Sequence, residues 1–327
     1  MWRRIQRLLA TFVPAMLVLA YLALAVCLWN RWDAVVAATL VPVWAWGGAG
    51  ALAALLCWAV CRRTAPAVLF FVFLASGVGF AEETRSLLRE FFASLEARPP
   101  AEPEPASLRF ATVRCGGEEA PLSGLAAVRP DVVVVQEAPE WAALEALARE
   151  IWEGGRSVTL AGGLAILGAG ETVATLEEPG ALHVRLRRDD GLVLDITNLD
   201  LPGCRPRRDM WRPPVWTELV EARIETRRLV RAHLGENPIS LEKVHRIVCG
   251  GFGTPPGDDV FRPLENSGML DTFASSGRGW GNTHPAEFPL VRLDQIWVSR
   301  NLEPVVSTVA GGPGHRIVVS DVRPARP

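Results

Sequence analysis

The apolar positions are distributed very unevenly. Residues 8–29 and 34–61 carry no charged side chain, and a third apolar run, 65–81, follows Arg62 and Arg63. Each of the first two exceeds the roughly 20 residues needed to cross about 30 Å of hydrocarbon, which predicts transmembrane helices; the third sits at the lower limit. A cleaved signal peptide is the alternative for the first run, but its apolar core is too long and two more runs follow. Arg3, Arg4 and Arg7 precede the first span and Arg62 and Arg63 lie between the second and third, whereas Arg31 is balanced by Asp33. The positive-inside rule therefore places the N-terminus in the cytoplasm. Three crossings put everything after residue 82 on the extracytoplasmic side. A third run lying only in the interface would put it in the cytoplasm instead.

The pattern changes after residue 81. Leu87, Leu88, Phe91, Phe92 and Leu95 recur at helical spacing, as if an amphipathic stalk continued the third helix, and the Pro-rich acidic stretch 98–105 reads as a stiff spacer holding the domain off the bilayer. The organisation is thus 1–81 membrane helices, 82–107 stalk and linker, and 108–327 a domain. Within the domain, residues 157–160 and 164–167 flank Gly162-Gly163, and 182–186 and 192–198 flank Asp189-Asp190-Gly191, two predicted β-hairpins. Residues 140–152 and 216–234 carry a helical period. This order suits a two-sheet sandwich with outer helices. No internal repeat, P-loop or dinucleotide fingerprint is present.

Composition adds little. The chain has 327 residues, 49% of them hydrophobic, and a formal charge of −2, with the apolar excess at one end. Cys27, Cys57 and Cys61 fall in the apolar runs, and Cys115, Cys204 and Cys249 in the domain, a sparse set that makes no disulfide framework.

The segment Val248-Cys249-Gly250-Gly251-Phe252-Gly253-Thr254-Pro255-Pro256 resembles the Gly-Asp-Phe-Asn-Thr-x-Pro signature of the endonuclease/exonuclease/phosphatase superfamily, metal-dependent phosphodiesterases typified by pancreatic deoxyribonuclease and neutral sphingomyelinase. Other matches follow in order: 108–114 as the opening strand, 132–137 with its Gln-Glu ending, 163–167, Asn198-Leu199-Asp200-Leu201-Pro202, Thr283-His284-Pro285, 292–298 with Asp294, and Ser320-Asp321-Val322. The resemblance implies an α+β fold, a four-layer α/β/β/α sandwich following the N-terminal transmembrane helices. It also implies a Glu, an Asn and an Asp around one or two divalent cations, with a His polarised by an Asp at the scissile phosphate. Hard Mg²⁺ or Mn²⁺ wants such oxygen ligands.

Position by position, the resemblance leaves Glu137 as the metal-binding Glu, Asp294 as the Asp that orients the His, and Asp321 as the Asp of the final Ser-Asp-His. Elsewhere the family residue is replaced: Arg114 stands for an Asn, Asp200 for a His, Gly251 for an Asp, Gly253 for an Asn and Val322 for the final His. Losing one member of such a unit costs orders of magnitude in rate. His315 is seven residues of extended chain from Val322, roughly 20 Å away, and is expected at the other end of the strand. His284 is better placed, either in the cleft or as an exposed loop imidazole. His183, His233 and His245 show no metal-ligand spacing. Cys115 is either a thiolate near Arg114 or a small buried core residue.

Arg114 either pairs internally with Glu137 and Asp200 in place of a metal, or points out of the cleft. Gly251 and Gly253 either expose backbone N–H groups as an anion nest or mark a relaxed loop. Arg205, Arg207, Arg208 and Arg212, with Trp211 and Trp216, make a basic and aromatic segment for an anionic ligand or a solvated loop. The expectation is a multi-pass membrane protein with an extracytoplasmic domain, a pseudoenzyme needing no cofactor, which binds an anionic or phosphate-bearing ligand or a protein partner. The alternative is a Mg²⁺- or Mn²⁺-dependent phosphodiesterase with a site rebuilt from Glu137, Asp200, Asp294, Asp321 and His284. Divalent-metal dependence separates the two. Besides the lipid bilayer, nucleic acid is the least expected partner, because chromosomal DNA would lie across the membrane.

Overall fold

A computed structural model describes residues 2–95, 107–154, 156–234, 244–311 and 316–325. The Pro-rich stretch 98–105 and His315 lie outside the described residues. The chain forms two compact units, Met1–Arg85 with Pro206–Glu221, and Ser86–Arg205 with Ala222–Pro327.

In the first unit, α1 (Trp2–Asn30) is followed by a short α2 (Val36–Leu40), then α3 (Val43–Cys61) and α4 (Thr64–Phe80). The apolar run 34–61 is therefore not one helix. Val41 is extended and Pro42, which lacks an N–H donor, caps the next helix, so a single helix through this point is not available. Among the described residues two helices are long and apolar enough to cross a membrane, Thr11–Asn30 and Val43–Cys61; Thr64–Phe80 passes only when joined to the helix after it. α3 and α4 pack backbone to backbone through Gly47 and Gly77, where a Cβ on Gly47 would stand 2.5 Å from the Gly77 Cα. Trp46, Trp211 and Trp216 form a chain of edge contacts, and the Trp216 indole donates to the Ala34 carbonyl (3.0 Å).

α5 (Glu82–Leu95) is a separate helix, because Ala81 adopts an extended conformation between it and α4. It is not a free stalk. Ser86 is fully buried and its carbonyl accepts from the Gly279 N–H, while Arg89 donates to the Ala274 carbonyl (3.1 Å).

In the second unit, β1 (Leu108–Arg114), α6 (Leu125–Val128), β2 (Val132–Gln136), α7 (Trp141–Ile151), β3 (Arg156–Ala161) and β4 (Leu164–Ala169) build the first sheet, completed by β11 (Leu302–Gly311) and β12 (Arg316–Pro324). Its order is β11-β12-β1-β2-β4-β3. The second sheet, in the order β5-β6-β7-β8-β10-β9, comprises β5 (Glu171–Glu178), β6 (Ala181–Arg187), β7 (Val193–Asp200), β8 (His245–Gly251), β9 (Leu270–Asp271) and β10 (Asp294–Val298). α8 (Pro213–Leu234), α9 (Arg262–Asn266) and α10 (Thr272–Ser276) are the remaining helices.

The layers follow from strand alternation. Val132 and Val134 join Leu182, Val184 and Ile196 between the sheets, while Val133 and Val135 pack outward on Leu144 and Leu147 of α7. A strand buried on both faces is apolar throughout, as β2 is. On the far side, Ala181, Leu199 and Val248 pack against Val230 and Leu234 of α8. The result is the expected four-layer α/β/β/α sandwich.

Candidate functional site

Strand direction decides where the chemistry gathers. β1 and β2 run parallel, as do β7 and β8, so Arg114, Gln136, Asp200 and Gly251 end their strands together. β10 and β12 run against them and begin at that same end, with Asp294 opposite Gly251. A polar bridge between the sheets sets the spacing. Gln136 Nε2 donates to Thr112 Oγ1 (3.0 Å) and to Asn198 Oδ1 (2.8 Å), and Asn198 Nδ2 donates to the carbonyls of Val135 (2.8 Å) and Ala165 (3.1 Å). All of these groups are buried and mutually satisfied, which rigidifies the strand ends. Glu137 follows Gln136 and Asp200 lies two residues past Asn198, so the bridge aims both carboxylates at the same point. Glu137 has a φ of 46°, a left-handed conformation unusual for a residue with a side chain.

The guanidinium of Arg114 occupies that point. Its Nη2 donates to Glu137 Oε1 (2.9 Å) and to Asp200 Oδ1 (2.7 Å), with the Arg114 side chain only 17% exposed. A Cβ on Gly251 would stand 3.4 Å from Arg114 Nη1, 3.5 Å from Asp200 Oδ1 and 3.6 Å from Asp294 Oδ1. Gly251 is thus the gap in a ring formed by one cation and three carboxylates. Beside it opens a cleft of about 300 Å³ lined by Arg114, Glu137, Arg205, His284, Asp294 and Arg316 among others.

Burial sets the electrostatics. It works against the charge on Arg114, but the hydrogen bond to Glu137 and the charges of Asp200, Glu137 and Asp294 outweigh it, raising that pKa. Burial raises Asp200 above the usual carboxylate range, with Arg114 pulling the other way. It raises Asp294 too, against a hydrogen bond from Thr283 and the charge of Arg114. His284 is pushed down by burial and by Arg205, so its imidazole is neutral at pH 7.

Other sequence candidates lie elsewhere. Asp321 pairs in register with Arg109, five residues before Arg114 along β1 and so roughly 16 Å from the ring at about 3.3 Å per residue. There it accepts a two-pronged ion pair from Arg109 (2.6 and 2.7 Å). Val322 is fully buried between the sheets. Both are corrections to the sequence alignment: β12 enters at the cleft with Arg316 and carries Ser320-Asp321-Val322 away from it. Arg316, the residue after His315, lines the cleft. The strand end opposite Val322 is therefore the end that matters.

The anion-nest reading also fails in part. The Phe252 N–H between the two glycines donates to the Leu293 carbonyl (3.1 Å). Gly253, with φ of 61°, backs onto Gly203, where an added Cβ would meet the Gly253 Cα at 2.4 Å. The basic and aromatic segment divides: Arg205 reaches the cleft, Arg207 pairs with Asp209 and Glu218, and Trp211 and Trp216 pack within the helical unit. Cys115 is buried and its thiol is pushed up to about 12, so it is a core residue and not a thiolate. His245 lies on β8 and is partly buried. His183 and His233, fifty residues apart in sequence, come together with Glu178 on the outer face of the second sheet.

Two solved structures show the same architecture at low identity. An endonuclease/exonuclease/phosphatase family protein from Bacteroides thetaiotaomicron aligns over 68% of this chain and 100% of its own, at 15% identity and a TM-score of 0.50. A mannosyl-6-phosphatase from the same organism aligns over 66% of this chain and 99% of its own, at 16% identity and a TM-score of 0.50. No curated protein matches the sequence. The family's sequence profile matches residues 122–321, the stretch that supplies every element of the cleft except β1 and its Arg114, and the chain belongs to the Endonuclease/Exonuclease/phosphatase family.

Proposed function

We propose that this is a membrane-anchored family member in which a guanidinium has replaced the catalytic divalent cation, a pseudoenzyme that binds a phosphate-bearing or otherwise anionic ligand in the former catalytic cleft. The observation that carries the reading is the double ion pair of Arg114 with Glu137 and Asp200. A fixed cation already satisfies the carboxylates that Mg²⁺ or Mn²⁺ would need, and a metal entering here would meet a positive charge it cannot displace. The residues present do not fit the family's metal, and no hydrolytic step is assigned to them.

Ligand binding is supported by the cleft's lining. Arg205, Arg316 and Arg114 face a cavity large enough for a phosphate group and a small moiety attached to it. The anchor is supported by the helices Thr11–Asn30 and Val43–Cys61. The N-terminus is cytoplasmic and the domain extracytoplasmic if α4 completes a third crossing. Labelling of single surface cysteines with an impermeant maleimide in intact cells tests that topology.

The functional test uses the full-length protein in detergent with bis-p-nitrophenyl phosphate, with Mg²⁺ or Mn²⁺ and with chelator, beside Glu137→Gln. The expected result is no metal-dependent turnover above the variant, together with calorimetric binding of inorganic phosphate that weakens in Arg205→Ala. Turnover requiring both metal and Glu137 would overturn the reading in favour of a rebuilt phosphodiesterase.

A further inference from the structure

A second group of ligand-type side chains sits on the outer face of the second sheet, at its β5–β6 edge, and does not line the cleft. Leu182, Val184 and Leu186 of β6 point into the inter-sheet core, so His183 points to the opposite face, beneath α8. α8 brings His233 over it in its last turn, held there by Val230 and Leu234 packed on Ala181 and Leu199. Glu178 ends the edge strand β5 beside them. Its Oε2 lies 2.7 Å from His233 Nδ1 and 3.4 Å from His183 Nε2. One donor atom from each of the three residues falls within 4.8 Å of the other two.

We propose that Glu178, His183 and His233 bind a divalent cation of the zinc type, with an open coordination position on the solvent side of Glu178. Four observations carry this. First, the donor set is two imidazoles and one carboxylate, which favours Zn²⁺, Co²⁺ or Ni²⁺ over Mg²⁺ and Ca²⁺. Second, His183 Nδ1 is hydrogen-bonded to Thr197 Oγ1 (3.0 Å). That outer bond orients the ring so that Nε2 is directed at the cluster, and with Nδ1–H donating to the Thr197 hydroxyl the Nε2 lone pair faces it, as in metal-bound histidines. Third, His183 Nε2 is buried with no well-directed hydrogen bond among the described residues, the Glu178 carboxylate standing 3.4 Å away, and the His233 side chain is only 5% exposed. Buried ring nitrogens without partners are costly unless something else binds there. Fourth, the site lies at the C-terminal end of α8, where the helix dipole favours a cation.

The geometry is close to what a metal requires. Bonds of ~2.0–2.1 Å in a tetrahedron place ligand atoms ~3.3 Å apart, near the 3.4 Å between His183 and Glu178. The shorter Glu178–His233 contact is a hydrogen bond whose proton a metal would replace, and the Glu178 side chain, 40% exposed, has room to adjust. Arg246 is a positive charge nearby, and with a single carboxylate in the site it lowers the affinity for a cation. A bound ion would staple the exposed edge strand β5 to the end of α8.

The test is titration of chelator-treated full-length protein in detergent with Co²⁺, followed by its visible absorption, and with Zn²⁺ by calorimetry. One equivalent of Co²⁺ should bind with the intense bands of low coordination number and be displaced by Zn²⁺. Glu178→Gln, a nearly isosteric change at an exposed position, should weaken binding at least tenfold, as should His233→Gln, while Glu137→Gln in the cleft should leave it unchanged. Metal-free unfolding midpoints establish that each variant is folded, and Glu178→Gln carries the test if the histidine variant is not. Absence of stoichiometric binding, or binding that survives Glu178→Gln and disappears in Glu137→Gln, would overturn the proposal.

Discussion

Replacing Arg114 by Asn introduces the residue type that the family resemblance implies at this position and removes the cation from the ring. At an effective dielectric of ~20 and charge centres ~4 Å apart, each of its two ion pairs is worth about 4 kcal/mol. Desolvating the ions costs several kcal/mol apiece, which removes most of that gain. Solvent also screens the partnership with Glu137, whose side chain is 44% exposed, more than that with Asp200, at 23%. A net loss of about 2 kcal/mol remains, which for a domain of this size lowers the unfolding midpoint by roughly 4–8 °C. The assay is thermal unfolding of full-length wild type and Arg114→Asn in detergent, with chelator and then across a Mg²⁺ series. Asp200, Glu137 and Asp294 would then face one another without a cation, so Mg²⁺ should bind the variant. At about 100 times its Kd it would return roughly 2.7 kcal/mol, enough to recover the loss, while the wild-type midpoint stays fixed. The histidine-containing cluster around His233 does not confuse the readout, since hard Mg²⁺ avoids imidazole. A variant as stable as wild type, or a wild type that Mg²⁺ stabilises equally, would refute the reasoning.

Further outcomes follow from the same geometry. Gly251→Asp should fold, because Gly251 has an ordinary φ and its nearest would-be contact is the Arg114 guanidinium at 3.4 Å; combined with Arg114→Asn it should raise Mg²⁺ affinity at least tenfold by calorimetry, completing an oxygen ligand set. Asp321→Asn should cost about 1 kcal/mol through its pair with Arg109, read in the unfolding midpoint, and leave phosphate binding unchanged. Gly203→Ala should lose more than ~2 kcal/mol, since its Cβ would press on the Gly253 backbone at a φ of 61°. Asp294→Asn should gain stability on wild type as pH rises. A raised folded pKa means that the protonated carboxyl is the form the fold favours. That contribution is complete below the unfolded value near 3.8 and is lost as pH climbs through the raised folded value, whereas Asn keeps it throughout. Unfolding midpoints of both proteins from about pH 4 to neutral pH check the sign.

Much of the architecture was legible because the central strands carry a strong signal. β2 is apolar on both faces, β1 carries buried Leu108, Phe110, Ala111 and Val113, both end in polar residues that the resemblance could match, and the two hairpins β3–β4 and β6–β7 pair as their turns suggest. β5 was not legible. It is an edge strand exposed along most of its length, so Glu171–Glu178 shows no core-directed alternation. The last strand was misplaced because Ser320-Asp321 matched the motif by letters. The apolar run Ile317-Val318-Val319, buried on both faces, marks the strand interior, and a site residue belongs where that run begins. Glu178, His183 and His233 could not be grouped from spacing, since they sit on an edge strand, an inner strand and a helix end that only the fold brings together.

The geometry also changes what the substitutions mean. Counted along the sequence, Asp200 and Gly251 are two separate departures from the pattern that the resemblance implies. In the sheet they are register partners on adjacent strands, β7 and β8. The ring therefore holds three carboxylates, Glu137, Asp200 and Asp294, with Asp200 and Asp294 on the two strands that flank β8. Their counter-charge is a monovalent guanidinium fixed to β1. Arg114 and Gly251 are coupled in the same way, since an Asp at 251 would direct a fourth carboxylate at Arg114 while Arg114 filled the space between the others. Glu137 and Asp200 each have the Arg114 guanidinium as a counter-charge, although their side chains are 44% and 23% exposed. The bridge of Thr112, Gln136 and Asn198 beneath the ring acts on the same residues: it holds both strand ends in place, so that Glu137 and Asp200 meet at the Arg114 guanidinium.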